Sequence, residues 1–481
     1  MSIFGRFERK QVLLESTYDF ENELLHIQSF EASYQHESFS LFINGNKTFH
    51  DAFNLEHFIA TYQTDQSQAF RLLKGGFCGV IWDAKKEEIA VFTDPFGIYP
   101  IYYAHDAYKA IFAQSFKTLI RSKEVETDID AQALLDFFRF DFFLPSKTIA
   151  RGIHQLEAGK FLSISEDHFS IETYFKWDKR HLTEFRNVEE VMATIDELMP
   201  PTHRIDLPLQ SEFTSFRTLV EQMDLPILPE LNYDNTLFGF SELFAYKEVF
   251  EWLPELNQKK WPMSFSPVIR AQIHKLGLWN WKGLQGNWRK EKLLQEYWDV
   301  EFLYQFEHLK RGDEELKSLF SFETFSKNGV FEWLHNHIGY GNQGYLLPLY
   351  GRISLAELYT SLLSIKLPRL RFFYHLQDQE LDLPTLSKEL FAYVLSVPDG
   401  LKEKAYSDNL GQRYSASQTP SSIKALFDEP TAVDWEDIEK GLRRLPYCNH
   451  SKLMKLIRKK PTEYESLLIL GLWLTLNLDN E

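Results

Sequence analysis

The chain has 481 residues, a length suited to two or more domains. Asp and Glu number 69 against 52 Lys and Arg, giving a net charge of −17. A field of that sign repels nucleic acid and anionic membranes, so neither is an expected partner. Two cysteines, Cys78 and Cys448, exclude a disulfide framework and a Cys-rich zinc site and fit a reducing cytoplasm.

The 41 Phe, 22 Tyr and 11 Trp point to large buried surfaces or an interface. The start, "MSIFGRFERK", has no apolar core of signal-peptide length, so export is not expected. The longest apolar run, "LLILGLWLTL" (467–476), is shorter than the roughly twenty helical residues that cross a bilayer. It predicts a buried C-terminal helix.

Along residues 1–177, short apolar segments alternate with charged turns: "SFSLFING", "FCGVIWDA", "EIAVFTD", "YPIYYA", "AIFAQS". These predict strands, with helices at "NLEHFIATYQ" and "AQALLDFFRFDFF". From Asn187 onward the pattern is mostly helical, as in "VEEVMATIDELM", "FSELFAYKEVFEWL" and "LAELYTSLLSIKL". The change of texture places a domain boundary near Trp177, dividing the chain into 1–177 and 178–481.

The stretch "LLKGGFCGVIWDAKKEEIAVFTDPFGIYPIYYA" carries G-x-F, an apolar strand ending in Asp, then Asp-x-x-Gly and a Pro-x-Tyr-Tyr strand. Farther on, Thr148, Ile149, Gly152, Ile153, Leu156 and Gly159 continue the series. In this order these motifs resemble the class II glutamine amidotransferase domain of the asparagine synthetase family. The resemblance implies an N-terminal four-layered αββα sandwich of the Ntn-hydrolase kind. A mostly helical, degenerate asparagine-synthetase-like domain would follow, related to those of β-lactam synthetases and lasso-peptide cyclases.

The family hydrolyses glutamine with an N-terminal Cys whose own α-amino group is the base. Here Ser2 stands at that place and one residue is deleted, so Ser2 is the candidate nucleophile, with a hydroxyl far less ionised than a thiol. The resemblance assigns Asn44 and the N–H of Gly45 to the oxyanion hole. It places Asn54 where the family uses an Asp to hold the glutamine ammonium, and Asn54 supplies no counter-charge. Loss of glutaminase activity is the expectation.

The second half resembles the ATP-pyrophosphatase synthetase domain in remnants. "TLFGFSELFAYK" keeps Gly239 and Glu242 but has Ser241 where the Asp belongs, and Glu380 is kept while Asp382 and Ser387 replace an Arg and an Asp. The family's Ser-Gly-Gly-x-Asp-Ser pyrophosphate loop is missing: Gly-Gly occurs once, at Gly75–Gly76, before a strand. Adenylation is therefore not expected, and no cofactor is expected. ATP and Mg enter only if the chain is an amide-bond-forming enzyme after all.

Other patterns have plainer readings. "HNH" (335–337) is an incidental pair and not a metal site, and Cys78 is a packed thiol. "DWEDIEKGLRR" is a charge-laced exposed helix, and "KLMKLIRKK" (452–460) a basic helix face that could dock an acidic partner or simply be solvated. The dense rings of "LLQEYWDVEFLYQF" and "RLRFFYHL" suggest association through the second domain, with itself or with an active homologue. Two functions remain expected: a non-catalytic partner or accessory protein, as in natural-product biosynthesis, or an ATP-dependent amide-bond-forming enzyme.

Overall fold

A computed structural model describes strands within residues 4–26, then residues 33–106 and 109–177 (without 46 and 167), 187–198, 313–321, 358–368, 386–398 and 435–478. Arg311, Trp333, Leu355, Arg371 and Leu401 are described singly. Ser2, Gly239, Glu242, Glu380, His335 and His337 lie outside the described residues, as does most of "RLRFFYHL".

The apolar runs of the first domain become two antiparallel sheets. Six strands order as β13 (His168–Thr173), β12 (Lys160–Ser165), β8 (Glu88–Thr93), β7 (Phe77–Asp83), β6 (Phe39–Gly45) and β5 (Ser33–His36). Five order as β11 (His154–Gln155), β9 (Tyr102–His105), β10 (Lys109–Ala113), β1 (Phe4–Glu8) and β2 (Gln11–Glu15). A small ribbon pairs β3 (Thr17–Asp19) with β4 (Leu24–His26).

Alternation along each strand sorts residues between layers. Cys78, Val80, Ile89 and Val91 meet Ile101, Tyr103, Ala110 and Phe112 in a core between the sheets. The opposite face of the six-stranded sheet, with Phe77, Ile81, Ala90 and Phe92, packs on α1 (Lys47–Ala52), α2 (Leu55–Thr64) and α3 (Gln66–Leu72). Phe70 centres that layer, with rings of Phe92, Phe161 and Tyr174 at 4.6, 5.0 and 5.4 Å. On the far side of the five-stranded sheet, Ile111 and Ala113 pack on α4 (Phe116–Arg121) and α5 (Ala131–Phe140). The layering is helix, sheet, sheet, helix.

Among the described residues, two of the four cores span the expected boundary at Trp177. The layer beneath the five-stranded sheet takes in Leu316 and Leu319 of α7 (Asp313–Leu319) together with the C-terminal helices α9 (Trp435–Leu442), α10 (His450–Lys459) and α11 (Glu465–Leu478). The apolar run at 467–476 is thus a helix buried almost all round. Phe96 and Trp177 of the first half meet Phe391 of α8 (Lys388–Ser396) at 6.0 and 4.7 Å, beside α6 (Val188–Leu198) and a π-helix at Leu358–Lys366.

The helix at 435–442 is more than an exposed, charge-laced one. Its Ile438, Gly441 and Leu442 are buried against α11, because Gly441 lies against the Gly471 carbonyl with no room for a Cβ. Among the described residues, no helix is long and apolar enough to cross a membrane.

Candidate functional site

Asn44 and Gly45 end β6, opposite Cys78 and Phe77 of β7. Asn44 shares the strand face of Phe42, which turns to the inter-sheet core, so Asn44, Cys78 and, one strand on, Thr93 form a row across the sheet. From the other sheet, Gln114 follows β10, and its Oε1 accepts from Asn44 Nδ2 at 3.3 Å. Strand β1 enters at the same level, with Phe4 paired to Ala113. Gly45 is required here because Phe49 lies where a Cβ would sit.

This corner brings together two of the expected residues. An amide nitrogen carries two hydrogens, so Asn44 keeps one donor after serving Gln114. The row supplies no base. Cys78 is fully buried, and its thiol is pushed well up by desolvation first and by the nearby Asp94 second. A thiol so held stays un-ionised and un-nucleophilic.

Asn54 is placed elsewhere in role. It is the exposed N-cap of α2, its Oδ1 accepting from His57 N at 3.0 Å. That bond satisfies one of the free N–H groups of the first turn, which explains an Asn there without a ligand. Ser387, expected as a replaced Asp, does the same for α8 by accepting from Leu390 N at 3.2 Å.

The Asp94-Pro95-Phe96-Gly97 turn is the most strongly built feature near the row. Asp94 is fully buried and accepts from Phe96 N and Ile98 N, each at 2.8 Å, and from Phe77 N and Tyr99 N at 3.4 Å. Burial raises its carboxyl to about 6, against the opposing pull of the backbone donors and of Arg371. The Gly97 carbonyl accepts from Arg371 Nη2, a residue of "RLRFFYHL" turned toward the first domain. Lys388 Nζ likewise donates to Arg71 O at 2.9 Å and Leu73 O at 3.2 Å.

Sequence reading missed Gln114, Arg371 and Lys388 as contacts of this region. Gln114 sits in a segment legible only as a strand, and the other two reach their partners from far along the chain. Among the described residues no group of three or more His, Cys, Asp or Glu could hold a metal ion.

Residues 32–175 match the family described as "Glutamine amidotransferase domain". "Asparagine synthetase (glutamine-hydrolyzing) 1" of Bacillus subtilis (strain 168) is 28% identical over 209 residues, which are 42% of this chain and 33% of the relative. Residues 32–175 thus form a glutamine amidotransferase domain similar to that of asparagine synthetases. A "Putative asparagine synthetase (glutamine-hydrolyzing)" of Mycobacterium bovis is 30% identical over 125 residues, 25% of this chain and 19% of that one. The match thus spans about a third or less of these relatives' length. A solved structure of "the allosteric regulatory enzyme of purine biosynthesis" aligns over 49% of this chain and 51% of its own, at 13% identity and a TM-score of 0.25.

Proposed function

We propose that this asparagine synthetase homologue has lost both glutamine hydrolysis and ATP-dependent adenylation and serves as a partner or accessory protein. The observation that carries the reading is the makeup of the corner at Asn44 and Gly45. Its one described thiol, Cys78, is sealed in the inter-sheet core with its pKa pushed up by burial. The Asn44 amide, which keeps one hydrogen, gives the other to Gln114, so this corner holds an oxyanion-type donor but no ionised nucleophile. Asn54, at the place of the family's ammonium-binding Asp, is occupied as a helix cap. Two free cysteines with no disulfide suit a cytoplasmic setting.

The second reading, an ATP-dependent amide-bond-forming enzyme using ATP and Mg, is favoured by the activity for which the relatives are named. It requires a pyrophosphate-binding loop for which the sequence offers no Ser-Gly-Gly. Pyrophosphate exchange into ATP, assayed on the full chain with aspartate and other carboxylates, separates the two. The accessory reading expects background exchange, and exchange above background with any carboxylate overturns it.

A further inference from the structure

Residues 435–460 hold eight Lys and Arg against three acids, in a chain whose net charge is −17. The structure turns these cations outward. Helix α10 buries Leu453, Met454 and Ile457 and exposes Lys452, Lys455 and Lys459, spaced to fall on one face. None of these three lysines makes an ion pair among the described residues. On neighbouring α9, Glu439 is bracketed by Arg443 at 2.6 Å and Arg458 at 2.9 Å, so one carboxylate serves two guanidinium groups.

Helix electrostatics explain part of this. Arg458 and Lys459 sit in the last turn, where a cation complements the helix dipole. Lys452 sits near the N-terminus, where a cation is disfavoured, and Lys455 lies between. The fold does not ask for either.

The loop between the two helices adds a second, independent observation. Tyr447 is 59% exposed and has φ 60°, a left-handed conformation that a bulky residue seldom adopts. It is held there firmly: its carbonyl accepts from Ser321 N at 2.9 Å, Asn449 N donates to Leu319 O at 2.7 Å, and Cys448 bridges to Phe320. An exposed aromatic held rigidly, four and three residues after Arg443 and Arg444 in the sequence, has the composition and rigidity of an interface centre.

We propose that this face docks an acidic, carboxylate-rich segment of a protein partner, with Tyr447 as its aromatic anchor. A carboxylate segment can end where the patch ends. A nucleic-acid duplex would carry its line of charge on over the acidic remainder of the chain. The surface stands whether or not the chain turns over glutamine.

The test is fluorescence anisotropy of a labelled oligoglutamate peptide titrated with the full chain, at low and at high salt. Binding is expected at low salt, weakened about tenfold or more by K452E/K455E/K459E and in the same direction by K452Q/K455Q/K459Q. The control K85E/K86E, on an exposed turn of the first domain, is expected to change it by less than about twofold. No binding by the parent chain, or equal weakening by the control, overturns the proposal. So does tighter binding of a DNA duplex of matched charge. A dimer in light scattering that K452E/K455E/K459E dissolves also overturns it, because the occupant is then a second copy of the chain.

Discussion

Arg311 reaches from the second half of the chain to Asp141 at the C-terminal end of α5, with Nη1 2.6 Å from Oδ1, and donates also to the Phe138 carbonyl at 2.8 Å. Its guanidinium lies 4.9 Å from the Tyr464 ring, and its side chain is 3% exposed. One side chain thus ties α5, the α7 region and the C-terminal helices together.

Removing one partner of a buried pair strands the other. Arg311→Ala is expected to cost about 3–5 kcal/mol. Urea denaturation followed by far-UV circular dichroism measures it, and a loss below ~1 kcal/mol would show the tie to be idle.

Asp94 makes stability depend on pH. Its carboxyl is raised to about 6 by burial, above its unfolded value of about 4. Between those values the native state holds a proton that the unfolded state has lost. Stability from this group therefore falls as pH rises from about 4 to about 6 and is flat above, by on the order of 3 kcal/mol. Asp94→Asn should remove that slope while giving up one acceptor of the turn. The check is the difference in unfolding free energy between parent and variant across that window; a constant difference would refute it.

The place of Asn54 as a cap predicts a split outcome. Asn54→Ala should cost about 1 kcal/mol, and Asn54→Asp, also a good cap, should stay within ~0.5 kcal/mol. Neither should gain glutaminase activity. Thermal melts with an ammonia assay decide it: ammonia release appearing in Asn54→Asp would return this residue to the binding site.

Close approach of α9 to α11 depends on Gly441. Gly441→Ala would drive a methyl into the Gly471 carbonyl, and overpacking of this kind costs about 1–3 kcal/mol. The higher helix propensity of Ala, worth about 1 kcal/mol, works the other way. A net fall in Tm is expected, and an unchanged or higher Tm would mean that the helices can part at no cost.

What sequence could reveal depended on the range of the interaction. The strands at 77–83 and 88–93 were legible because apolar runs end at charged turns, and the helix at 465–478 because it is apolar all round. Asn54 falls at the family's ammonium-binding Asp and Ser387 at another family Asp, while their hydrogen bonds are purely local caps. Trp177, where the sequence changes texture, itself packs on Phe391, and no local pattern announces such a contact. Arg311 and Asp141, 170 residues apart, leave no periodic trace either.

The central proposal is a glutamine amidotransferase domain that does not hydrolyse glutamine. Ammonia release from L-glutamine by the full chain, set beside the same chain carrying Ser2→Ala, tests it most directly. The account predicts equal, background rates for the two. Release above a heat-denatured control that Ser2→Ala abolishes would contradict it and make Ser2 a working nucleophile.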